Sequence, residues 1–178
     1  LALIAISVMS KKIAGGADNI LIDVKVGRGA LVRTAKEAKK LAELMINIGK
    51  KYNKKVVCML TRMDNPLGNN IGNSIEILEV LDVLKDKVRN NLYYLSYEMA
   101  SVMLSIYTGM NIHDARDKVE EVIKNNKAYN KFIEFINRTE EMGSRDEILV
   151  FTEKYKDTNK KYKLEYNDEF EEYRFVEI

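Results

Sequence analysis

Two short apolar runs flanking one amphipathic stretch constrain the fold of this chain most. Residues 20–26, Ile-Leu-Ile-Asp-Val-Lys-Val, are rich in β-branched side chains and end at Gly27. Ala35, Ala38, Leu41, Ala42, Met45 and Ile48 then recur at the intervals that gather one face of a helix. Residues 55–61 supply a second apolar run. Strand, helix and strand with short connections predict a right-handed βαβ unit whose strands lie parallel. Loops leaving the carboxyl ends of parallel strands are where ligands gather. The loop after the second run, residues 62–72, holds the only proline, Pro66, with Gly68 and Gly72, so chemistry is expected there.

The flanking segments read as helices. Residues 1–14 are expected to form a buried helix stopped at Gly15-Gly16, where a glycine can take the left-handed conformation. Asn73 followed by Glu76 reads as a capping box opening a helix that runs to about Leu84. From Asn90 a helix with Leu92, Leu95, Met99, Val102, Met103 and Ile106 on one apolar face is expected to end at Gly109. Two more helices are predicted over residues 112–125 and 128–141, with Phe132 and Phe135 as core side chains. Beyond Gly143 the pattern loosens: residues 154–163 read as a charged linker, and 164–166 and 173–178 as strands around an Asn167-Asp168 turn.

Composition narrows the function classes. At 178 residues and 46% hydrophobic content the chain can bury one core. Its net charge of +2 is spread along helices and forms no basic stripe, which argues against a nucleic-acid partner. One cysteine, Cys58, permits neither an internal disulfide nor a cysteine zinc site and suits a reducing, cytoplasmic setting. The apolar opening is far short of the roughly 20 residues that span a bilayer and lacks the flanks of a signal peptide, so no membrane partner is expected. The only histidine, His113, follows Asn111 at a helix start and reads as a surface or capping residue.

Three sets of polar residues could carry chemistry. Ser7 and Lys11, four apart, put a hydroxyl and an ammonium on one helical face. Either they form a site, or Ser7 bonds back to a carbonyl of the preceding turn while Lys11 and Lys12 complement the helix dipole. Asp23 and Lys25 alternate onto one side of the first strand beside Gly27 and Gly29, as a local ion pair or as part of a site. Glu79 reads either as an exposed helical carboxylate or as a ligand.

Three motifs in fixed order, Ser7-Val8-Met9-Ser10-Lys11-Lys12, Leu21-Ile22-Asp23-Val24-Lys25-Val26-Gly27-Arg28-Gly29-Ala30 and Met63-Asp64-Asn65-Pro66-Leu67-Gly68 continuing to Glu76, resemble the pyrimidine nucleoside phosphorylase family, which includes thymidine phosphorylase. The resemblance covers the middle of such an enzyme and thins after about Gly143. It implies an α/β chain: the parallel-sheet lobe of the nucleoside phosphorylase and phosphoribosyltransferase fold, with part of a helical lobe at the N-terminus. Residues 1–14 would be a remnant of that helical lobe, 15–153 the α/β lobe with a helical second half, and 154–178 a linker and the start of a truncated third lobe. The family's Gly-rich phosphate loop, a histidine and an arginine would then lie upstream of Leu1.

The resemblance further implies a pentosyltransferase: phosphate attacks C1′ of a pyrimidine nucleoside and releases the base and a pentose 1-phosphate. Ser7 and Lys11 would bind the pyrimidine, with Ile4 and Val8 as apolar walls. A positioned ammonium would stabilise charge gathering on the departing base. Leu67 and Asn70, through their carbonyls, and Glu79 would hold a monovalent cation, potassium in the family. Inorganic phosphate would be the co-substrate, and the resemblance implies a homodimer. Arg28 stands where the family usually has serine, Leu31 where it has phenylalanine, and Asn70 where alanine is common. The alternative is an inactive remnant acting as a folding, dimerisation or weak pyrimidine-binding module. A relative of anthranilate phosphoribosyltransferase should carry a diphosphate and magnesium site, which nothing in the sequence resembles.

Overall fold

The computed structural model describes residues 1–140, 162–167 and 172–177. In chain order the elements are α1 (Ala2–Ala14), β1 (Asn19–Val26), α2 (Ala35–Lys51), β2 (Lys55–Arg62), α3 (Asn73–Leu84), α4 (Asn91–Thr108), α5 (Ile112–Lys124), α6 (Lys127–Glu140), β3 (Tyr162–Asn167) and β4 (Glu172–Glu177). They fall into two compact units, Leu1–Ile133 and Glu134–Ile178.

The expected α/β class and parallel strand pair are present. β1 and β2 lie side by side in parallel, from Asn19 opposite Lys55 to Val26 opposite Arg62, with α2 connecting them. Thr34 opens α2: its Oγ1 accepts the Glu37 N–H at 3.2 Å and donates to the Glu37 carboxylate at 3.0 Å. The face of α2 that disappears into the core carries Ala38, Leu41, Ala42 and Met45, as the spacing predicts. Gly49 completes that face, because a Cβ there would collide with Val56 of β2. These residues pack with Ile20, Ile22 and Val24 of β1, with Val32, and with Ala5 and Met9 of α1.

α1 departs from the buried helix expected. Only Ala5 and Met9 are buried, while Leu3 is 80% exposed and Ile6 also faces outward. A helix lying on one neighbour buries a single stripe, and here α2 is that neighbour. The stop is where the glycines place it: Gly15 donates to the Lys11 carbonyl and Gly16 follows at φ +78°. α3 differs by one residue from the expected cap. Asn73 is the first helical residue and Gly72 the N-cap, at φ +135°, with its carbonyl accepting the Glu76 N–H.

A second core joins α3, α4 and α5 through Val83, Tyr93, Val119 and Ile123, flanked by Leu92, Tyr97 and Leu104. The apolar face expected for α4 is kept only in part, through Leu92. Tyr93, Tyr97, Ser101 and Leu104 share one stripe, while Met103 is exposed. Tyrosine packs with its ring and keeps its hydroxyl paired: Tyr93 donates to Glu120 at 2.6 Å and Tyr97 to the Arg116 carbonyl at 3.2 Å. Asn90 and Asn111 cap α4 and α5, and Gly109 ends α4 in the left-handed region. In α6 Phe135 is 60% exposed and not a core residue; Ile136, one position on and about 100° around the helix, is buried instead.

In the second unit β3 and β4 pair antiparallel, from Tyr162 opposite Glu177 to Asn167 opposite Glu172. The expected strands are there, and Tyr162 and Lys163 belong to β3 where a linker was expected. The rest of that linker, Gly143 and the turn at Asp168 lie outside the described residues.

Candidate functional site

The two loops leaving the carboxyl ends of β1 and β2 are bonded to each other. Met63 N–H donates to the Val26 carbonyl at 2.7 Å, and Gly29 N–H donates to the Met63 carbonyl at 2.8 Å. Asp64 Oδ1 accepts the Arg28 N–H at 3.0 Å, and Oδ2 accepts from Arg62 Nε at 2.9 Å. These donors, the Arg28 amide foremost, hold the Asp64 carboxyl below its ordinary range. Gly27 makes the approach possible. It sits at φ +136°, and a Cβ there would stand 2.7 Å from Asp64 Oδ1 and 2.9 Å from the Met63 carbonyl carbon.

Beside this junction lies a cavity of about 350 Å³. Ile4 and Val8 of α1 form one wall, Ile22 to Lys25 of β1 the floor, and Gly29 to Val32 with Met63 the loop side. Leu31, where the family resemblance sets a phenylalanine, is 88% exposed at its edge. Ile4, Ser7, Val8 and Lys11 are related by steps of three and four on α1 and so form one continuous face. Of these four, Ile4 and Val8 line the cavity, whereas Ser7 and Lys11 are not among its lining residues. Ser7 and Lys11 stand on the same face and are exposed to solvent. The back-bond expected of Ser7 is made instead by Ser10, whose hydroxyl donates to the Ser7 carbonyl at 3.2 Å. Asp23 and Lys25 form the local ion pair, 2.7 Å between Lys25 Nζ and Asp23 Oδ2, and they also line the cavity.

Glu79 is not an exposed carboxylate: it is 6% exposed. Asn69 N–H donates to both its oxygens at 2.9 and 3.0 Å, Asn70 N–H donates to Oε2 at 3.0 Å, and Asn90 Nδ2 donates to Oε1. Gly68 lets the loop close over it, since a Cβ would meet Oε2 at 2.5 Å. The carboxylate therefore organises residues 68–70 and the cap of α4. Its donors are neutral, and among the described residues no lysine or arginine pairs with it. Glu79, on α3, is thus a buried carboxylate without a cationic partner among the described residues, and a carboxylate is the kind of oxygen donor a hard cation takes.

The remaining candidates take structural places. His113 is exposed near the start of α5. Cys58 is half-buried beside the Ala42 carbonyl, and burial raises its thiol, the environment of an inert cysteine. Among the described residues no three His, Cys, Asp or Glu side chains could together hold a metal ion, and no helix is long and apolar enough to cross a membrane. Asp64, Thr61 and Asn90 have bonding roles that the sequence does not announce. Asn90 could have been found as a helix cap, whereas Asp64 and Thr61 act across the strand pair and leave no local signal.

Comparison with known proteins gives the family. The family model described as "Glycosyl transferase family, a/b domain" matches residues 2–129. A thymidine phosphorylase of Metamycoplasma hominis is 44% identical over 164 residues, covering 92% of this chain and 58% of that protein. A pyrimidine-nucleoside phosphorylase of Bacillus subtilis (strain 168) is 42% identical over 135 residues, 75% of this chain and 31% of that protein. One from Staphylococcus epidermidis (strain ATCC 12228 / FDA PCI 1200) is 37% identical over 165 residues, 92% of this chain and 37% of that protein. The chain thus spans between 31% and 58% of the length of these relatives.

Proposed function

The chain belongs to the glycosyl transferase family through its a/b domain, and on that premise we propose that it provides the base-binding part of a pyrimidine nucleoside phosphorylase. The reaction is pentosyl transfer: inorganic phosphate, the co-substrate, takes the pentose of a pyrimidine nucleoside and frees the base. The observation that carries this reading is the cavity beside the strand ends, walled by Ile4 and Val8 from the same α1 face that bears Ser7 and Lys11. A flat pyrimidine suits aliphatic walls, and its carbonyls and ring nitrogen suit a hydroxyl and an ammonium carried on the same helical face.

Ser7 orients the ring in this scheme and Lys11 meets its carbonyl edge. As the glycosidic bond lengthens the base gains negative charge, and the Lys11 ammonium stabilises that state more than the neutral nucleoside. The carbonyls of Leu67 and Asn70 and the Glu79 carboxylate would hold a monovalent cation such as potassium. Such an ion supplies positive charge against the buried carboxylate and stiffens the loop. The reading also carries a role in nucleoside salvage, a cytoplasmic location and a homodimer, as the resemblance implies.

The test mixes purified chain with phosphate and thymidine or uridine and follows ultraviolet absorbance as base is released, alongside calorimetric titration with thymine and uracil. Base release, or saturable binding of the free base that Lys11→Ala weakens, supports the reading. Absence of both removes it.

A further inference from the structure

The base-binding scheme leaves unused the one charged pair inside the cavity. Lys25 Nζ lies 2.7 Å from Asp23 Oδ2, their side chains are 32% and 19% exposed, and both line a cavity whose other side chains are aliphatic or methionine. Thr61 Oγ1 donates to the second carboxylate oxygen, Asp23 Oδ1. Strand geometry builds this trio: residues two apart share a face of β1, and Thr61 stands opposite Lys25 in the parallel register. Thr61 fixes Asp23, and Asp23 fixes Lys25.

The pair selects by hydrogen-bond type. A carboxylate only accepts and an ammonium only donates. An entering anion would meet the Asp23 carboxylate beside its cation, and an entering cation would meet Lys25. An alkyl group would strip water from both without replacing its hydrogen bonds. The group that fits is neutral and both donates and accepts. We infer that Asp23 and Lys25 bind a hydroxyl of the pentose, at the sugar-side pole of the cavity, with Thr61 as a positioning residue. The identity of the ligand rests on the base-binding reading above, whereas the pole itself does not. The imide edge of a free pyrimidine offers the same donor and acceptor, so the test separates sugar from base.

Lysines of the full chain are dimethylated with ¹³C, which keeps their charge, and the Lys11 and Lys25 signals are assigned by Lys11→Arg and Lys25→Arg. Thymidine, thymine and inorganic phosphate are titrated separately. The expected result is that thymidine shifts Lys25 while thymine and phosphate leave it in place. A Lys25 signal indifferent to thymidine, or moved as far by thymine or by phosphate, overturns the inference. The Lys11 signal reports independently: Lys25 responding to thymidine while Lys11 responds to nothing keeps the sugar pole and removes the Ser7 and Lys11 site. The reverse pattern removes the sugar pole alone. Thr61→Val, which keeps the side-chain shape, should lower thymidine affinity about tenfold with thymine affinity unchanged. An unaltered ratio of the two affinities counts against the Thr61–Asp23–Lys25 arrangement.

Discussion

Asp64 Oδ1 accepts the backbone N–H of Arg28 at 3.0 Å across the two loops that leave the paired strands. One side chain from the β2 loop thereby fixes the position of the β1 loop that borders the cavity. The depressed Asp64 pKa gives the sign of its pH dependence. Stability from this link is present above the ordinary carboxylate value of 3.8 and is lost as pH falls through the lower folded value. By carbon NMR the Asp64 carboxyl should titrate below 3.8. In Asp64→Ala the Arg28 amide should exchange with solvent markedly faster. Unchanged exchange would show that the carboxylate does not hold the loop.

Glu79 is the second fastening. Glu79→Gln replaces one of the two accepting oxygens with an NH2 donor facing amides that already donate, leaving a clash of N–H groups in a buried place. A loss of about 2 kcal/mol in urea unfolding is expected. A change below about 0.5 kcal/mol would place Glu79 among ordinary surface positions. If the carboxylate also holds a cation, exchanging potassium for a bulky organic cation at fixed ionic strength should lower the melting temperature of the wild type. The variant should be insensitive to that exchange.

Lys11→Ala should weaken thymine binding by roughly tenfold, the worth of a hydrogen bond to a charged group. Lys11→Arg should recover part of it, because the charge is kept and its shape is not. Circular dichroism should show both variants as helical as the parent, since the side chain is exposed. Equal thymine affinity in all three proteins would free Lys11 from any part in the site.

The helical half has its own acid sensitivity. Glu120 is held at about 2, against an ordinary 4.5, by the Tyr93 hydroxyl, by Arg89 and by Lys124. A depressed carboxylate contributes fully above the unfolded value, so this stabilisation should fade between pH 4.5 and about 2. Melting temperatures taken across that window should fall for the wild type. Glu120→Gln should start lower at neutral pH and show a shallower fall. Parallel curves for the two proteins would assign the acid response elsewhere.

The strand pair and α2 were legible because each declares its period within a short window. β1 alternates and α2 repeats at three and four, and the structure keeps both. α1 was misjudged because Leu3 and Ile6 are as apolar as Ala5 and Met9, and only the position of α2 decides which stripe is covered. The packed stripe of α4 was hidden because its tyrosines and Ser101 look polar in sequence while their rings and backbone-paired hydroxyl go inside. Ser7 and Lys11 were visible as a shared face. The donors around Glu79 were not, because they come from residues 69, 70 and 90 and meet only when α3 has folded back on the loop.

α1 rests on the sheet lobe through Ala5 and Met9, with partly buried Ile4, Val8 and Ile13, and Gly16 at positive φ follows it. Fully burying a side chain such as Met9 contributes on the order of 2 kcal/mol, and Ala5 much less. The helix is thus fastened less firmly than the strands it lies beside, and its detachment is cheaper than global unfolding. Any ring wedged against Ile4 and Val8 adds its own apolar area to that weak seam. Occupancy and helix docking therefore reinforce one another by mass action, so the aperture and its guest set each other's lifetimes.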